Sequence, residues 1–304
     1  FWDEVFPVEV KQFKTFSRYR WNLLRKVRNL GAQIAIQPTF SREFYHGDAL
    51  IRASGAVRKV SSAGDMSNRN RLKTFLANRW HTELIPVSSE PLTELERNAE
   101  FFSGLSHSPH LINYPKLDIP EFWLSSEWKD ENFYVLIPGT SGTVTGKEWP
   151  ASSFSNIAKK VFQKTGWKGI ICGAQQEYIL GEQIRGQCDA PLQNLSGQTT
   201  LPVLASLLSQ SRLTLSNDTG AVFISSAVGT PSVCILGGGH FGRFLPYPDL
   251  PGQINNLKEI FHKMPCYGCN WDCVYPIKEG EPAPCIANVS VDTVWKKIKP
   301  LLTK

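Results

Sequence analysis

Apolar residues recur along this chain in short runs of strand length, separated by stretches with helical spacing. The rhythm is clearest from residue 133 onward. Phe133-Tyr134-Val135-Leu136-Ile137 is a continuous apolar run ending in Pro138-Gly139, the mark of a strand covered on both faces. Ser152 or Ser153 then caps a helix in which Phe154, Ile157, Ala158 and Val161 fall at i, i+3, i+4 and i+7. Residues 168–172 form the next expected strand, ending in Gly173-Ala174, and 176–185 and 201–209 are expected helices. Leu213-Thr214-Leu215 opens a strand, the polar turn Ser216-Asn217-Asp218-Thr219-Gly220 follows, and 221–228 is a helix of small residues. Gly229-Thr230-Pro231 stops that helix, and residues 232–236 make a second strand running into Gly237-Gly238-Gly239. The last helix, 290–302, directs Val291, Val294, Trp295, Ile298, Leu301 and Leu302 inward.

The first third of the chain carries a weaker pattern. Residues 5–8 read as a strand end, and 16–30 as a basic amphipathic helix closed by Gly31. Residues 33–38 are a buried strand, 44–54 a helix closed by Gly55, 81–87 a strand and 92–105 a helix. Residues 106–132 are rich in Pro and Ser and have little periodicity. The expected organisation is therefore α/β with two Rossmann-like domains, 1–115 and 133–304, joined by a linker over 116–132. No repeat is present.

Composition narrows the class. With 304 residues, 41% apolar and 20% charged, the chain can bury two substantial cores. No apolar run approaches the roughly 20 residues of a membrane helix. The net charge of +6 suits an anionic substrate or a peripheral stay at an anionic membrane surface. The basic clusters at Arg18–Arg28 and Lys296–Lys299 have the spacing of solvated helix faces, and the nine tryptophans are dispersed, so nucleic acid is not an expected partner. The chain opens without Met and without a signal-peptide pattern, which points to residues removed upstream.

The candidate chemistry lies at the carboxyl ends of the later strands. In a strand–turn–helix, free N–H groups and the helix dipole at the turn favour an anion, here at Asp218, Thr219 and Gly220. Asp218 repels phosphate, so its expected work is to cap the helix or to accept from a sugar hydroxyl. Thr140 and Ser141 offer hydroxyls and amides, and Lys147 a cation for a diphosphate. Gly173 leaves room at the next strand end, where Glu177 can accept from ribose hydroxyls. Each feature alone has a bland counterpart: a cap, a surface lysine or a first-turn carboxylate. Their convergence points to a nucleotide-diphosphate pocket.

These blocks carry a resemblance. Pro138-Gly139-Thr140-Ser141 with Lys147-Glu148-Trp149-Pro150, Gly173-Ala174 with Glu177, and Ser216-Asn217-Asp218-Thr219-Gly220 with Gly229-Thr230-Pro231 resemble the signatures of glycosyltransferase family 9, the ADP-heptose:lipopolysaccharide heptosyltransferases. The resemblance is good over 133–248 and weak before it, where Asp3-Glu4-Val5 and Arg28, Gly31 and Ile34-Ala35-Ile36 fit the latter half of a first domain. It implies a GT-B fold whose N-terminal, acceptor-side domain is incomplete here. It also implies inverting transfer of a heptose from ADP-heptose to a lipopolysaccharide, glycan or protein acceptor, with no catalytic metal. Thr140, Ser141, Lys147, Gly173, Glu177, Asp218, Thr219 and Gly220 become the donor-binding residues. The expected setting is cytoplasmic, peripheral at the inner face of the membrane, with homo-oligomerisation compatible. The family places His five residues after the Asp of its Asp-Thr-Gly block; here that residue is Phe223. The family's base is an Asp in a first βα loop, which places it upstream of Phe1 and leaves the catalytic residue unassigned. Two other readings stay open: a GT-B nucleotide-sugar epimerase, and a non-catalytic binding or assembly module.

Cys172, Cys188 and Cys234 read as isolated buried thiols. Cys266-x2-Cys269-x3-Cys273-x11-Cys285 lies in a core-poor loop, 264–286, and resembles a tetrathiolate site for zinc or iron, with free thiols or disulfides as the alternatives. The stretch is also similar to the four-cysteine iron finger of autotransporter-modifying heptosyltransferases. Such a metal is expected to be structural, because the loop lies away from the pocket in sequence.

Overall fold

The computed structural model describes residues 4–120, 128, 131–140 and 146–302, which fall into two compact units, up to Ile112 and from Asn113. Tyr114 and Leu117, in the Pro-rich stretch, belong to the second unit: the Tyr114 hydroxyl donates to the Pro248 carbonyl at 2.9 Å, and Leu117 N–H to Ala227 O at 2.8 Å.

The first unit alternates helix and strand: α1 (Arg18–Asn29), β1 (Ile34–Gln37), α2 (Gly47–Ser54), β2 (Arg58–Ser62), α3 (Arg71–Asn78), β3 (Glu83–Ile85) and α4 (Glu94–Ser106). Its three strands form a parallel sheet in the order β1-β2-β3. Two elements escaped the sequence pattern. β2 reads Arg-Lys-Val-Ser-Ser, too polar for an apolar run, and α3 is only eight residues long. Residues 5–8, expected as a strand end, take no regular structure.

The second unit contains β4 (Phe133–Ile137), α5 (Ala151–Thr165), β5 (Lys168–Ile171), α6 (Tyr178–Gly186), β6 (Leu192–Asn194), α7 (Leu201–Gln210), β7 (Thr214–Asn217), α8 (Gly220–Ala227), β8 (Ser232–Ile235), β9 (Leu257–Ile260), α9 (Pro284–Ala287) and α10 (Val291–Ile298). Six strands form one parallel sheet in the order β6-β5-β4-β7-β8-β9. The chain moves outward from β4 on one side, returns, and moves outward again from β7, so strand order reverses between β4 and β7. In such a sheet a ligand crevice opens at that point, outside the carboxyl ends of the strands.

β4 explains why the sheet is stable. All five residues are buried, and they alternate between two cores. Tyr134 and Leu136 join Phe154, Ile157, Val161 and the α10 residues Val294 and Ile298. Phe133, Val135 and Ile137 join Ile170, Leu207 and Leu208 on the other face. A strand buried on both faces needs no polar alternation, which is why its sequence is a continuous apolar run.

Candidate functional site

The crevice between β4 and β7 is real. An open cleft of about 700 Å³ lies there, lined from four loops by Gly139, Thr140, Lys147, Gly173, Glu177, Asp218, Thr219, Gly220 and His240 among others. A cleft of this size is in the range that takes a nucleotide-sized ligand. Seven of the eight donor-binding residues expected from the sequence therefore meet in one place. The eighth, Ser141, lies outside the described residues.

One side chain ties the loops together. Asn217, the last residue of β7, is fully buried; its Nδ2 donates to the Pro138 carbonyl at 2.5 Å, and its Oδ1 accepts from the Trp149 N–H at 3.2 Å. It thus joins the end of β4 to the Lys-Glu-Trp-Pro segment and sets the entry to α5. Trp149 is buried, and its indole N–H donates to the Val289 carbonyl at 2.8 Å. The sequence places Asn217 in a polar turn. In the fold Ser216 and Asn217 are the buried end of β7, and the turn begins at Asp218.

Glu177 sits beneath the loops after β4 and β5. It accepts from the Ala174 N–H at 2.7 Å and closes a short 3-10 turn, Gln175–Glu177. Both neighbouring glycines make room for this carboxylate: a Cβ at Gly139 would stand 2.0 Å from the Glu177 carboxyl carbon and one at Gly173 2.5 Å from its Oε2, so a side chain at either would displace it.

The start of α8 differs from the expectation for Asp218. Thr219 occupies the N-cap position, and no side-chain cap bond forms among the described residues. Asp218 is therefore not the helix cap. The amides of the first turn are left to the cleft, at the positive end of the helix dipole. Burial pushes the Asp218 carboxyl above its ordinary value, while the charges of Lys147 and His240 oppose that shift. Glu148 is also raised by burial; the Thr140 hydroxyl, donating to it at 3.3 Å, works against the shift, and Glu177 adds to it. On the cleft wall, burial pushes the Cys172 thiol up to about 12, so it stays protonated and inert at neutral pH.

His240 is the main residue absent from the sequence reading. It follows the Gly-rich loop after β8, and its position there was the only available signal. Its Nε2 lies 2.8 Å from Asn270 Oδ1. Phe223, where the family's signature has His, lines the same cleft and packs its ring 6.2 Å from that of Tyr247.

The cysteine loop lies nearer the site than its place in the chain suggests. It is distant from the pocket in sequence but adjacent to it in space: Lys147 Nζ stands 4.8 Å over the Trp271 ring, and Asn270 reaches His240. Cys266, Cys269, Cys273 and Cys285 are all free thiols. The first three all act electrostatically on Cys285, whose thiol is pushed up mainly by burial, so the four sulfurs share one neighbourhood. Their chemistry fits a thiophilic ion, but among the described residues no group of three or more His, Cys, Asp or Glu side chains stands in metal-holding geometry. No described helix is long and apolar enough to cross a membrane.

A family profile described as glycosyltransferase family 9 (heptosyltransferase) matches residues 94–270. Lipopolysaccharide heptosyltransferase 2 of Salmonella typhimurium is 24% identical over 161 residues, 50% of this chain and 46% of that protein. Lipooligosaccharide heptosyltransferase 2 of Campylobacter jejuni is 26% identical over 170 residues, 55% of this chain and 51% of that protein. The chain thus spans about half the length of the curated relatives it matches. The solved structure of the Escherichia coli ADP-heptose lps heptosyltransferase II superposes with a TM-score of 0.67 at 16% identity, covering 98% of this chain and 82% of that one, a likeness of fold.

Proposed function

The chain belongs to glycosyltransferase family 9, and we propose that its second unit binds a nucleotide-diphosphate sugar, ADP-heptose, for inverting transfer of the heptose to a lipopolysaccharide, glycan or protein acceptor. The observation that carries this reading is the uncapped start of α8 facing the cleft together with Lys147 and Glu177. Two negative charges on a diphosphate match an ammonium and a helix N-terminus, and the ribose hydroxyls match a carboxylate. The relatives' names, heptosyltransferases acting on lipopolysaccharide or lipooligosaccharide, point the same way.

In this mechanism an acceptor hydroxyl loses its proton to a base and attacks the anomeric carbon as the nucleoside diphosphate departs. Lys147 and the α8 amides stabilise the charge that develops on the departing diphosphate. Glu177 holds the ribose, and Asp218, half-buried and under the electrostatic influence of Lys147 and His240, accepts from a sugar hydroxyl. The reading sets the protein on the cytoplasmic side of a membrane. Titration calorimetry with ADP tests it: wild-type protein binds, and Lys147→Ala loses more than the ~1 kcal/mol that an exposed ion pair contributes. Equal affinity for both proteins removes Lys147 from the role. Transfer of labelled heptose from ADP-heptose to lipopolysaccharide tests the activity.

We also propose that the four-cysteine loop holds one structural zinc or iron ion that takes no part in transfer. The shared neighbourhood of the four sulfurs supports this, and binding requires the loop to close around the ion. Elemental analysis should find one equivalent per chain, lost in Cys269→Ser. Metal-free protein with an ordered loop ends the idea.

A further inference from the structure

The cysteine loop packs against the Gly-rich loop that carries His240 to the cleft, and its contacts there are specific. Gly268 N–H donates to the Gly238 carbonyl at 2.8 Å, and Asn270 N–H to the Gly239 carbonyl at 3.0 Å. Side chains could not occupy this seam: a Cβ on Gly237 or Gly239 would stand 2.4 or 2.5 Å from the Trp271 ring, and one on Gly238 2.3 Å from the Tyr267 ring. Asn270 and Trp271 both take left-handed backbone, with φ of 51° and 65°. Asn tolerates that region well; Trp seldom visits it. The seam therefore holds two residues in a conformation that sets Asn270 against His240 and Trp271 beneath Lys147.

The Asn270 contact engages one nitrogen of the imidazole and leaves the other to the cleft. An amide oxygen only accepts, so His240 Nε2 carries the proton and donates to Asn270 Oδ1 at 2.8 Å. With Nε2–H committed to Asn270, Nδ1 is the acceptor in the neutral form of the ring. Phosphate oxygens are acceptors as well and offer Nδ1 nothing; hydroxyl groups are donors. His240 lines the cleft, stacks edge-on near Phe244 with ring centroids 5.6 Å apart, and acts electrostatically on Asp218.

We propose that His240 recognises a hydroxyl of the donor's sugar through Nδ1, and that Asn270, on the cysteine loop, is the positioning residue that orients it. This deepens the donor reading above and rests on it. It assigns sugar recognition to the loop after β8, whereas Phe223 on α8 has no hydrogen-bonding group to offer.

Calorimetry on the full chain with two probes, ADP and ADP-heptose, tests the proposal. Wild-type protein should bind ADP-heptose more tightly than ADP. His240→Ala should lose roughly three- to tenfold in ADP-heptose affinity, the worth of one hydrogen bond, and leave ADP affinity unchanged. Asn270→Gly suits the left-handed backbone and keeps the N–H bond to Gly239, so it removes only the side-chain acceptor. It should weaken ADP-heptose in the same direction, and Asn270→Asp, which retains an acceptor oxygen, should restore it. The double variant His240→Ala/Asn270→Gly should be no worse than His240→Ala alone, because the two side chains act as one unit. A parallel fall in ADP and ADP-heptose affinity, no fall in either, or additive losses in the double variant would overturn the assignment. Wild-type protein that binds neither probe would instead sink the donor reading itself, and this inference with it.

Discussion

In the second unit β4 buries all five of its side chains between two apolar cores, whereas in the first unit β1 leaves Ile34 and Ile36 about half exposed. Among the described residues of the first unit, an apolar cluster centred on Val60, Ile85 and Phe101 is small. Much of its interior is ionic instead. Asp48 lies between Arg42 at 3.5 Å and Arg69 at 3.2 Å, with all three side chains fully buried. Burial lowers the Arg42 guanidinium to about 10, and the Nε atoms of Arg42 and Arg69 have no hydrogen-bond partner among the described residues. Elsewhere in the unit guanidinium groups lie over rings: Arg20 over Phe13, Arg52 over Trp80 and Arg97 over Phe40. Parallel α/β layers can thus be held by dispersion and apolar burial, or by charges that need one another. The second arrangement is the more fragile, since removing one partner leaves another uncompensated.

The largest test of that contrast is Asp48→Ala, which leaves two buried guanidinium groups unopposed and should cost about 3–5 kcal/mol. Phe154→Ala in the second unit should cost about as much, through a cavity rather than a charge. Hydrogen exchange read separately over the two units should place the first loss in residues 4–112 and the second in 133–302. If Asp48→Ala instead loosens the second unit as much as the first, the contrast fails.

The pH dependence sharpens the comparison because the signs oppose. His81, packed against Arg42 and Asp48, has its basicity lowered chiefly by burial and then by Arg42. Its folded value lies below its ordinary 6.5, so its contribution is present above pH 6.5 and is lost as pH falls through the folded value. Asp218 is raised above its ordinary 3.8, so its contribution is greatest below pH 3.8 and is lost as pH rises through the folded value. Mild acid should therefore loosen the first unit first. His81→Gln should flatten that response, and Asp218→Asn should flatten the opposite one in the ligand-free second unit. Exchange rates measured from pH 7 downward check both signs.

The smallest expected effect is one on which the units should agree. Thr93 caps α4 in a capping box with Glu96, and Thr200 caps α7 with its hydroxyl on the Val203 N–H. Replacing either by Ala should cost about 1 kcal/mol, since a cap depends on local backbone geometry and not on what fills the core. Unequal losses in thermal melts would show that the surroundings reach even the caps.

Much of the second unit could be read directly, because strands buried on both faces advertise themselves as apolar runs and its helices repeat at i, i+3, i+4. β2 and α3 could not: a polar strand and a two-turn helix stand on contacts made by residues distant in sequence. At the site the convergence of Lys147, Glu177 and the Asp218–Gly220 turn followed from a general rule, that ligands sit at strand ends where strand order reverses. Asn217 was legible as polar and illegible as buried, since its two partners, Pro138 and Trp149, come from another loop.

The order of residues by itself determined the α/β alternation, the blocks that line the cleft between β4 and β7, the glycines among them and membership of a heptosyltransferase family. These are local patterns, set by periodicity, by the backbone freedom of single residues and by short spacings. Only the tertiary structure decided that Thr219 and not Asp218 stands at the cap of α8, that the cysteine loop packs on the Gly-rich loop, and that Asn270 meets His240. Each of these depends on chain segments brought together by sheet order, and hydrogen bonds and ring contacts of a few ångströms carry no trace in the linear spacing of the residues that make them.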